Sequence, residues 1–473
     1  MRRALLFLLA LASAAPGPAR AVEVEVALGR ARALGLASDP GWRALLHVVP
    51  RALGLRRASE IPPGKFFLSP DGAADPEAEL EATLRGLLDP GASGDGAVHC
   101  RFPARAVWLA RRLGVPREAF AGAPCPALDD WRSRLEPRGI TLIFPEAFMN
   151  NPASMFGHTL LRLDVADPSE PRNLLAYAID FTASTGGDAG PVFLAKGTFG
   201  LYPGRFGLNP YYQKLALYAE WQNRDIWEYP LALGPHEVEL VLLHLWELDD
   251  VEIPYYFFRQ NCSYQLIRLL AVARPELAMR HGFPGGVIPV DTVRDALQAI
   301  GLAGEVRYRA SPATNLRVAL RALAPDERRL ALALASGEAE PEDPRVAELP
   351  PERRGALLNA ADEAIRYRFA QSELDPDTAR DRSYQLLRAR SRTGRVAVPT
   401  APRPATRPDE GHGTALVAMG AGVEDGDGYV ELRLRPSFHG LLDPPGGFPG
   451  DSTISVLDTR VRWYPDEGRM RLE

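Results

Sequence analysis

The sequence predicts an α+β protein in four parts: a helical N-terminal region, a mixed sheet-and-helix unit, a charged helical segment and a C-terminal antiparallel β region. Three observations carry this. Asp-Pro helix starts recur before residue 135, because proline is tolerated in the first helical turn behind an aspartate cap. Short apolar runs of β character stand between turn clusters from residue 140 onward. A proline-rich stretch near residue 400 then gives way to alternating apolar and polar residues.

The chain opens with Arg2 and Arg3, an apolar run from Ala4 to about Ala15, and Ala19-Arg20-Ala21. That is the pattern of a secretory signal peptide over residues 1–21. A buried helix or an uncleaved anchor is the competing reading, but the run is short for a bilayer span. No cysteine follows it, so a lipid-anchored N-terminus of the usual bacterial type is not predicted. The protein is therefore expected to be exported, to a periplasm.

Residues 22–135 read as a helical accessory domain. Asp39-Pro40-Gly41-Trp42 opens one helix with Trp42, Leu45, Leu46 and Val49 on its apolar side; Asp75-Pro76-Glu77 opens another with Leu80, Leu84 and Leu87; a third runs near Asp129 to Leu135. Residues 136–300 form the mixed unit. Strands are expected at Ile140–Phe144, Gly157–Val165, Leu174–Thr182 and Asp225–Leu233, with a turn over 166–173 and a long glycine-rich loop over 184–210. Pro235 starts a helix through Leu248, Val251–Phe258 is strand-like, and Cys262 opens a helix through about Val272. Residues 301–397 are helical and charged, broken at Gly337–Pro344, and 398–410 is a linker. Thr414–Val423, Tyr429–Arg435 and Ser452–Trp463 are strands of the 411–473 region. Their alternation over about ten residues resembles an outer-membrane barrel, which needs about eight strands to close. A fragment of a larger barrel and a small soluble β unit both remain open.

Net charge is −5, and Lys65, Lys196 and Lys214 are the only lysines. No basic cluster interleaved with aromatics occurs, which argues against a nucleic-acid partner. His236 and His244 lie eight apart on one expected helix, but no third ligand accompanies them, so no metal or other cofactor is expected.

The three cysteines carry more information. In an oxidising compartment two usually pair, and a remaining one needs a reason. Cys100 and Cys125 are near in sequence and both flanked by proline-containing segments. Their disulfide is predicted, leaving Cys262 free. Asn261 can cap the helix that Cys262 begins, and a helix N-terminus favours thiolate, the nucleophilic form. An inert buried cysteine is the bland alternative. His158, after the small Gly157 and near a strand start, is the candidate base. A hairpin centred on 169–170 puts His158 opposite Asp180 or Phe181, so Asp180 is the candidate to orient the imidazole. A solvated strand-end aspartate is the equal alternative, and Asp164 a weaker third member. Phe193, Phe199, Tyr202, Phe206, Tyr211 and Tyr212 read first as core, and second as an acyl groove or a surface resting on a membrane.

A histidine at a strand start followed about a hundred residues later by Asn-Cys at a helix start resembles circularly permuted papain-like thiol enzymes. These include the lecithin:retinol acyltransferase group and the NlpC-type peptidases. A closer resemblance is to the bacterial Lnb-type family. It rests on Asn151-Pro152-Ala153-Ser154-Met155-Phe156-Gly157-His158-Thr159-Leu160, on Asn261-Cys262-Ser263, and on the intervening Arg224-Asp225-Ile226-Trp227-Glu228-Tyr229. Cys100-Arg101-Phe102-Pro103-Ala104-Arg105 and Arg435-Pro436-Ser437-Phe438-His439-Gly440-Leu441-Leu442-Asp443-Pro444 are also similar to that family.

The resemblance implies a permuted papain-like catalytic domain with Cys262 as nucleophile and His158 as base. It implies lipoprotein N-acylation: a fatty acyl group would pass from a phospholipid, through a thioester, to the α-amino group of a diacylglyceryl-cysteine lipoprotein. A phospholipid donor, a lipoprotein acceptor and a membrane surface are the partners that follow, with association to the outer membrane the finer expectation of place. Backbone N–H groups at the start of the Cys262 helix are expected to hold the oxyanion. The rivals are a cysteine peptidase or amidase acting on cell-wall peptides, and a non-catalytic envelope scaffold.

Overall fold

The computed structural model describes residues 24–51, 56–89, 94–120, 124–148, 154–166, 170–279, 288–394, 397, 399–448 and 452–473. The signal-peptide segment and the start of the Asn151–Leu160 motif lie outside them.

The N-terminal region contains α1 (Val24–Ala33), α2 (Pro40–Leu45), the hairpin β1 (Val48–Arg51) and β2 (Arg56–Ser59), then α3 (Pro76–Leu87), α4 (Val98–Arg101), α5 (Pro103–Leu113) and α6 (Pro126–Leu135). Asp39 and Asp75 cap α2 and α3 through their carboxylates, each followed by proline at the first helical position. The expected helix through Val49 ends at Leu45. Leu46 leaves helical geometry, His47 takes a φ of 52°, and the chain enters β1. The Cys100–Cys125 disulfide closes a loop with a sequence separation of 25.

The central unit is a seven-stranded sheet. Its strands are β3 (Gly139–Pro145), β4 (Leu160–Asp164), β5 (Tyr177–Ala183), β6 (Tyr202–Pro210), β7 (Ile226–Pro230), β8 (Ile253–Tyr255) and β9 (Arg307–Arg309), in the order β8-β6-β5-β4-β3-β7-β9. Every described pairing is antiparallel. The unit also carries α7 (Glu170–Leu175), α8 (Gly190–Phe199), α9 (Tyr211–Leu215) with a π-helical continuation Ala216–Trp221, α10 (Pro235–Glu247), α11 (Cys262–Leu270) and α12 (Pro289–Ile300). Two expectations are corrected here. The β4–β5 connection is not a simple turn, since α7 occupies its second half. Residues 184–210 are not one long loop: they fold into α8 and β6.

Strand alternation divides the sheet's two faces. Leu142, Phe144, Leu161, Leu163, Ile179 and Phe181 join the large core that includes α5, α10 and α11. Ile143, Leu160, Ala178 and Ile226 join a smaller one with Tyr211, Tyr218 and Ala219. The N-terminal region is keyed to α10 and α11 by buried polar contacts. His47 Nε2 meets His244 Nε2 at 3.1 Å, and His244 Nδ1 meets Glu247 at 2.9 Å. Glu60 accepts hydrogen bonds from Tyr264 and Gln260, each at 2.5 Å, and lies 3.5 Å from Arg268.

The charged segment is a separate helical core of α13 (Pro312–Arg321), α14 (Pro325–Ser336), α15 (Pro344–Ala347), α16 (Pro351–Ala370) and α17 (Pro376–Ser391). Its expected break begins at Gly337, a left-handed cap with φ 79°. After the proline-rich linker come β10 (Leu416–Glu424), β11 (Asp427–Arg435), β12 (Ser437–His439), β13 (Ile454–Val456), β14 (Thr459–Tyr464) and β15 (Arg469–Leu472). Four of these form an antiparallel sheet in the order β10-β11-β14-β15.

A crosslink over a loop of this size constrains the unfolded chain by about 3 kcal/mol. The Cys100→Ala/Cys125→Ala variant is therefore expected to lose ~2–4 kcal/mol in urea unfolding. An unchanged midpoint and slope would show that the bridge does not stabilise the chain.

Candidate active site

Helix α11 starts where its cap dictates. Asn261 is extended, its Oδ1 accepts from the Tyr264 N–H at 3.2 Å, and its Nδ2 donates to the Phe257 carbonyl at 3.2 Å. Leu266, Ile267, Leu269 and Leu270 are fully buried. Each contributes about 1.5–3 kcal/mol by leaving water. This anchoring fixes Cys262 as the first helical residue, free of any disulfide and 1% exposed.

His158 is delivered by the approach to β4. Gly157 has φ 96°, and a Cβ there would sit 2.6 Å from the Phe144 ring, so both its backbone and its space call for glycine. The His158 N–H then donates to the Pro145 carbonyl at 3.1 Å. From this position the imidazole Nδ1 lies 3.0 Å from Cys262 Sγ. One residue on, Thr159 Oγ1 donates to Ser263 Oγ at 3.1 Å, tying the start of the strand to the start of the helix. Residues 104 apart in sequence thus form one buried pair.

The electrostatics differ from the sequence expectation. Burial pushes the Cys262 thiol up, and hydrogen bonds from Thr159, Ser263 and Tyr255 offset only part of that. Burial, then Arg224 and Lys214, hold His158 down at about 3. The resting pair is neutral thiol and neutral imidazole: one helix terminus does not outweigh removal of the sulfur from water. With Nδ1 accepting the thiol hydrogen, the ring proton sits on Nε2, which has no hydrogen-bond partner among the described residues.

Asp180 does not orient the imidazole. Its carboxylate accepts from Lys214 Nζ at 2.7 Å and from Asn209 Nδ2 at 3.0 Å. The β4–β5 register is Leu161↔Ile179 and Arg162↔Ala178, so β4 begins beyond His158 and the expected hairpin register is displaced. Asp164 is likewise engaged elsewhere, with Arg162 at 2.8 Å and Thr141 at 2.6 Å.

What packs on the ring instead is Tyr218, with ring centroids 5.2 Å apart. Arg224 in turn lies over Tyr218, 5.2 Å from its centroid. Arg224 is buried and makes no ion pair among the described residues; it donates to the carbonyls of Glu146 (2.6 Å) and Pro145 (2.7 Å) and to Gln222 (3.0 Å). It thereby grips the same Pro145 carbonyl that receives the His158 N–H.

The Cys262 N–H donates to Tyr255 Oη at 3.3 Å, so the donor expected for an oxyanion is engaged in this state. Of the aromatics singled out earlier, Tyr202 and Tyr211 are buried and Phe193 and Phe206 are packed; Phe199 and Tyr212 are exposed. His236 is exposed near Glu239, whereas His244 is buried against His47. The sequence left Tyr218 and Tyr255 unremarked and gave Thr159 no role beyond its place in the motif, because single residues at no special spacing carry no signal until the sheet brings them together.

Two outcomes follow. Alkylation of Cys262 by iodoacetamide is expected to accelerate past pH 9, since the thiol lies above its ordinary range. A plateau below neutral pH would reveal a preformed thiolate and contradict the neutral pair. The unfolded chain takes up a proton near pH 6.5 that the native His158 refuses until about 3, so native stability falls as pH drops across that window. Between about pH 7 and pH 4.5 the wild type should lose roughly 2–3 kcal/mol that His158→Gln retains. Equal losses in denaturant titrations of the two proteins would refute this.

Comparison with known proteins yields four family matches. Residues 34–112, 306–402 and 405–473 match domains of unknown function (DUF7843, DUF7842 and DUF7840, respectively). Residues 127–299 match the Lnb N-terminal periplasmic domain. No curated protein and no solved structure matches. Among the described residues no helix is long and apolar enough to cross a membrane. A periplasmic location accords with the disulfide. The stretch that supplies both His158 and Cys262 is the one that matches the Lnb N-terminal periplasmic domain.

Proposed function

We propose that this protein is a thiol acyltransferase that moves a fatty acyl group from a phospholipid to the α-amino group of a diacylglyceryl-cysteine lipoprotein. The observation that carries the reading is the 3.0 Å contact between Cys262 Sγ and His158 Nδ1 inside an Lnb-type periplasmic domain. On this reading the domain is a permuted papain-like unit, and the protein works at a membrane surface.

The chemistry runs in two halves. As Cys262 Sγ bonds to the ester carbonyl carbon, its proton passes to His158 Nδ1. The tetrahedral adduct then collapses: the C–O bond breaks, the lysophospholipid oxygen takes the proton from His158, and a thioester remains on Cys262. In the second half the lipoprotein amine attacks the thioester. His158 accepts a proton from that nitrogen, the C–S bond breaks, and the proton returns to sulfur. The amide and the free thiol are the products, with no net change in the enzyme.

Starting from a neutral pair suits this sequence. Charge appears only while the acyl group is being transferred, and the dyad is not held as an ion pair in a dry interior at rest. The burial of Cys262 beside Tyr255 and His158 also supports transfer over hydrolysis, because a thioester there is shielded from water.

The test is purified protein with phospholipid carrying a labelled acyl chain and a synthetic diacylglyceryl-cysteine peptide. The expected result is a hydroxylamine-sensitive label on Cys262 that chases into the peptide's amino group. Cys262→Ala should abolish labelling, and His158→Ala should slow it by roughly 10²–10⁴. Full transfer by Cys262→Ala sinks the proposal. Cleavage of cell-wall peptides without lipid labelling would transfer the dyad to a hydrolase.

A further inference from the structure

We propose that the sheet of β10, β11, β14 and β15 works with one face in the hydrocarbon of a lipid bilayer. This goes beyond the reaction at Cys262 and stands independently of it.

The pairing register lines up apolar side chains in rows. Met419 pairs with Leu432, Leu432 with Val461, and Val461 with Leu472. The next row runs Ala421, Val430, Trp463, Met470, and Val417 pairs with Leu434. Successive residues point to opposite faces, so all of these share one face. That face is uncovered: Met419 is 80% exposed, Met470 72% and Leu472 73%.

The opposite face is a network of charges. Arg462 lies 2.7 Å from Glu431 and 3.3 Å from both Glu424 and Glu473; Arg433 lies 2.6 Å from Asp458; Arg471 lies 3.2 Å from Glu424; and Tyr464 donates to Glu424. Contiguous apolar patches of this kind on soluble proteins mark interaction sites. Three features favour lipid over protein as the occupant. The apolar residues run the whole length of β10 and β11, nine residues each, the span of a membrane β-strand. The charged face is already internally paired, as in the lumen of a membrane sheet, where polar residues alternate with lipid-facing ones. Its Trp463 sits one residue from the end of β14, where interfacial aromatics stand in membrane sheets.

The chain between β11 and β14 connects this sheet to the central unit. The β10–β11 and β14–β15 turns lie at one end, and the 436–458 excursion leaves from the other. That excursion touches the central unit: the Ala147 N–H donates to the Gly447 carbonyl at 3.2 Å, and a Cβ at Gly447 would meet the Phe144 ring at 3.3 Å. Phe144 is the ring that packs under Gly157, next to His158. Edge strands β10 and β15 have no further neighbour in the described sheet, so spanning would require added strands to close it.

The experiment is flotation of the purified full chain with vesicles of phosphatidylethanolamine and phosphatidylglycerol. Wild type is expected to float with the vesicles. Met419→Arg/Leu432→Arg should lose at least about tenfold in bound fraction, although added positive charge favours anionic lipid. The control, Leu332→Arg/Leu387→Arg, changes two exposed leucines of α14 and α17 and should float like wild type. Protection of the Cys262 thiol from alkylation reports that each variant is folded. The proposal is overturned if wild type does not float, or if the sheet variant floats equally well. It is also overturned if the chain instead forms an oligomer in solution that the sheet variant dissociates. Failure here with intact acyl labelling of Cys262 would leave the reaction standing.

Discussion

The placement of a thiol and an imidazole at 3.0 Å inside a dry interior is the constraint around which the surrounding structure is arranged. Each group in isolation resists charging there, because solvation of the ion is lost. The neighbours are accordingly weak polar groups: the hydroxyls of Ser263 and Tyr255, and backbone N–H groups. The strong charges nearby are held at one remove. Lys214 is committed to Asp180 and Arg224 to main-chain carbonyls. A carboxylate touching His158 would raise its basicity and draw the pair toward the ionised state. The ring is instead flanked by Tyr218, which orients without adding charge.

Two separate regions maintain that geometry. The sheet supplies His158 through the Gly157 bend and the shared Pro145 carbonyl. Among the described residues the N-terminal region supplies no group to the pair, but Glu60 reaches Tyr264 and Arg268 of α11 and Gln260 just before it. A buried carboxylate with that many donors resists sliding of the helix, since each bond lost would leave a polar group unsatisfied. Residues 34–112 and 127–299, two separate family matches, are therefore joined by polar contacts that specify a single alignment.

Local chemistry made the helix starts legible. Asp39, Asp75 and Asn261 all cap as their side chains predict, because a cap depends on three neighbouring residues alone. Strands β3, β7, β10 and β11 were legible from their apolar patterns. What escaped depends on distant partners. The 48–59 hairpin hides behind a helix-like apolar spacing at Trp42, Leu45 and Leu46. The glycines of 184–210 suggested a loop, yet Gly197 and Gly204 are there because Phe257 and Phe181 occupy the space of a side chain. Asp180 was misassigned because β4 starts at Leu160, past His158, and because Lys214 and Asn209, distant in sequence, take up its carboxylate. The Cys262–His158 proximity was legible only through combined motifs; its neutral state was not, since burial is a property of the whole fold.

The disulfide has a further consequence, for oxidative maturation. Three thiols entering an oxidising compartment can pair in three ways, and two of those would consume Cys262. Joining Cys100 to Cys125 closes a loop of 25 residues, whereas reaching Cys262 from either means closing one more than five times longer. In the unfolded chain, the difference in closure entropy favours the short loop by roughly 1.5 kcal/mol. Once α11 docks, Cys262 is withdrawn from exchange with passing disulfides. The same interior that disfavours the thiolate thus also shields the sulfur from oxidation, which accords with one bridge and one free thiol in the folded chain.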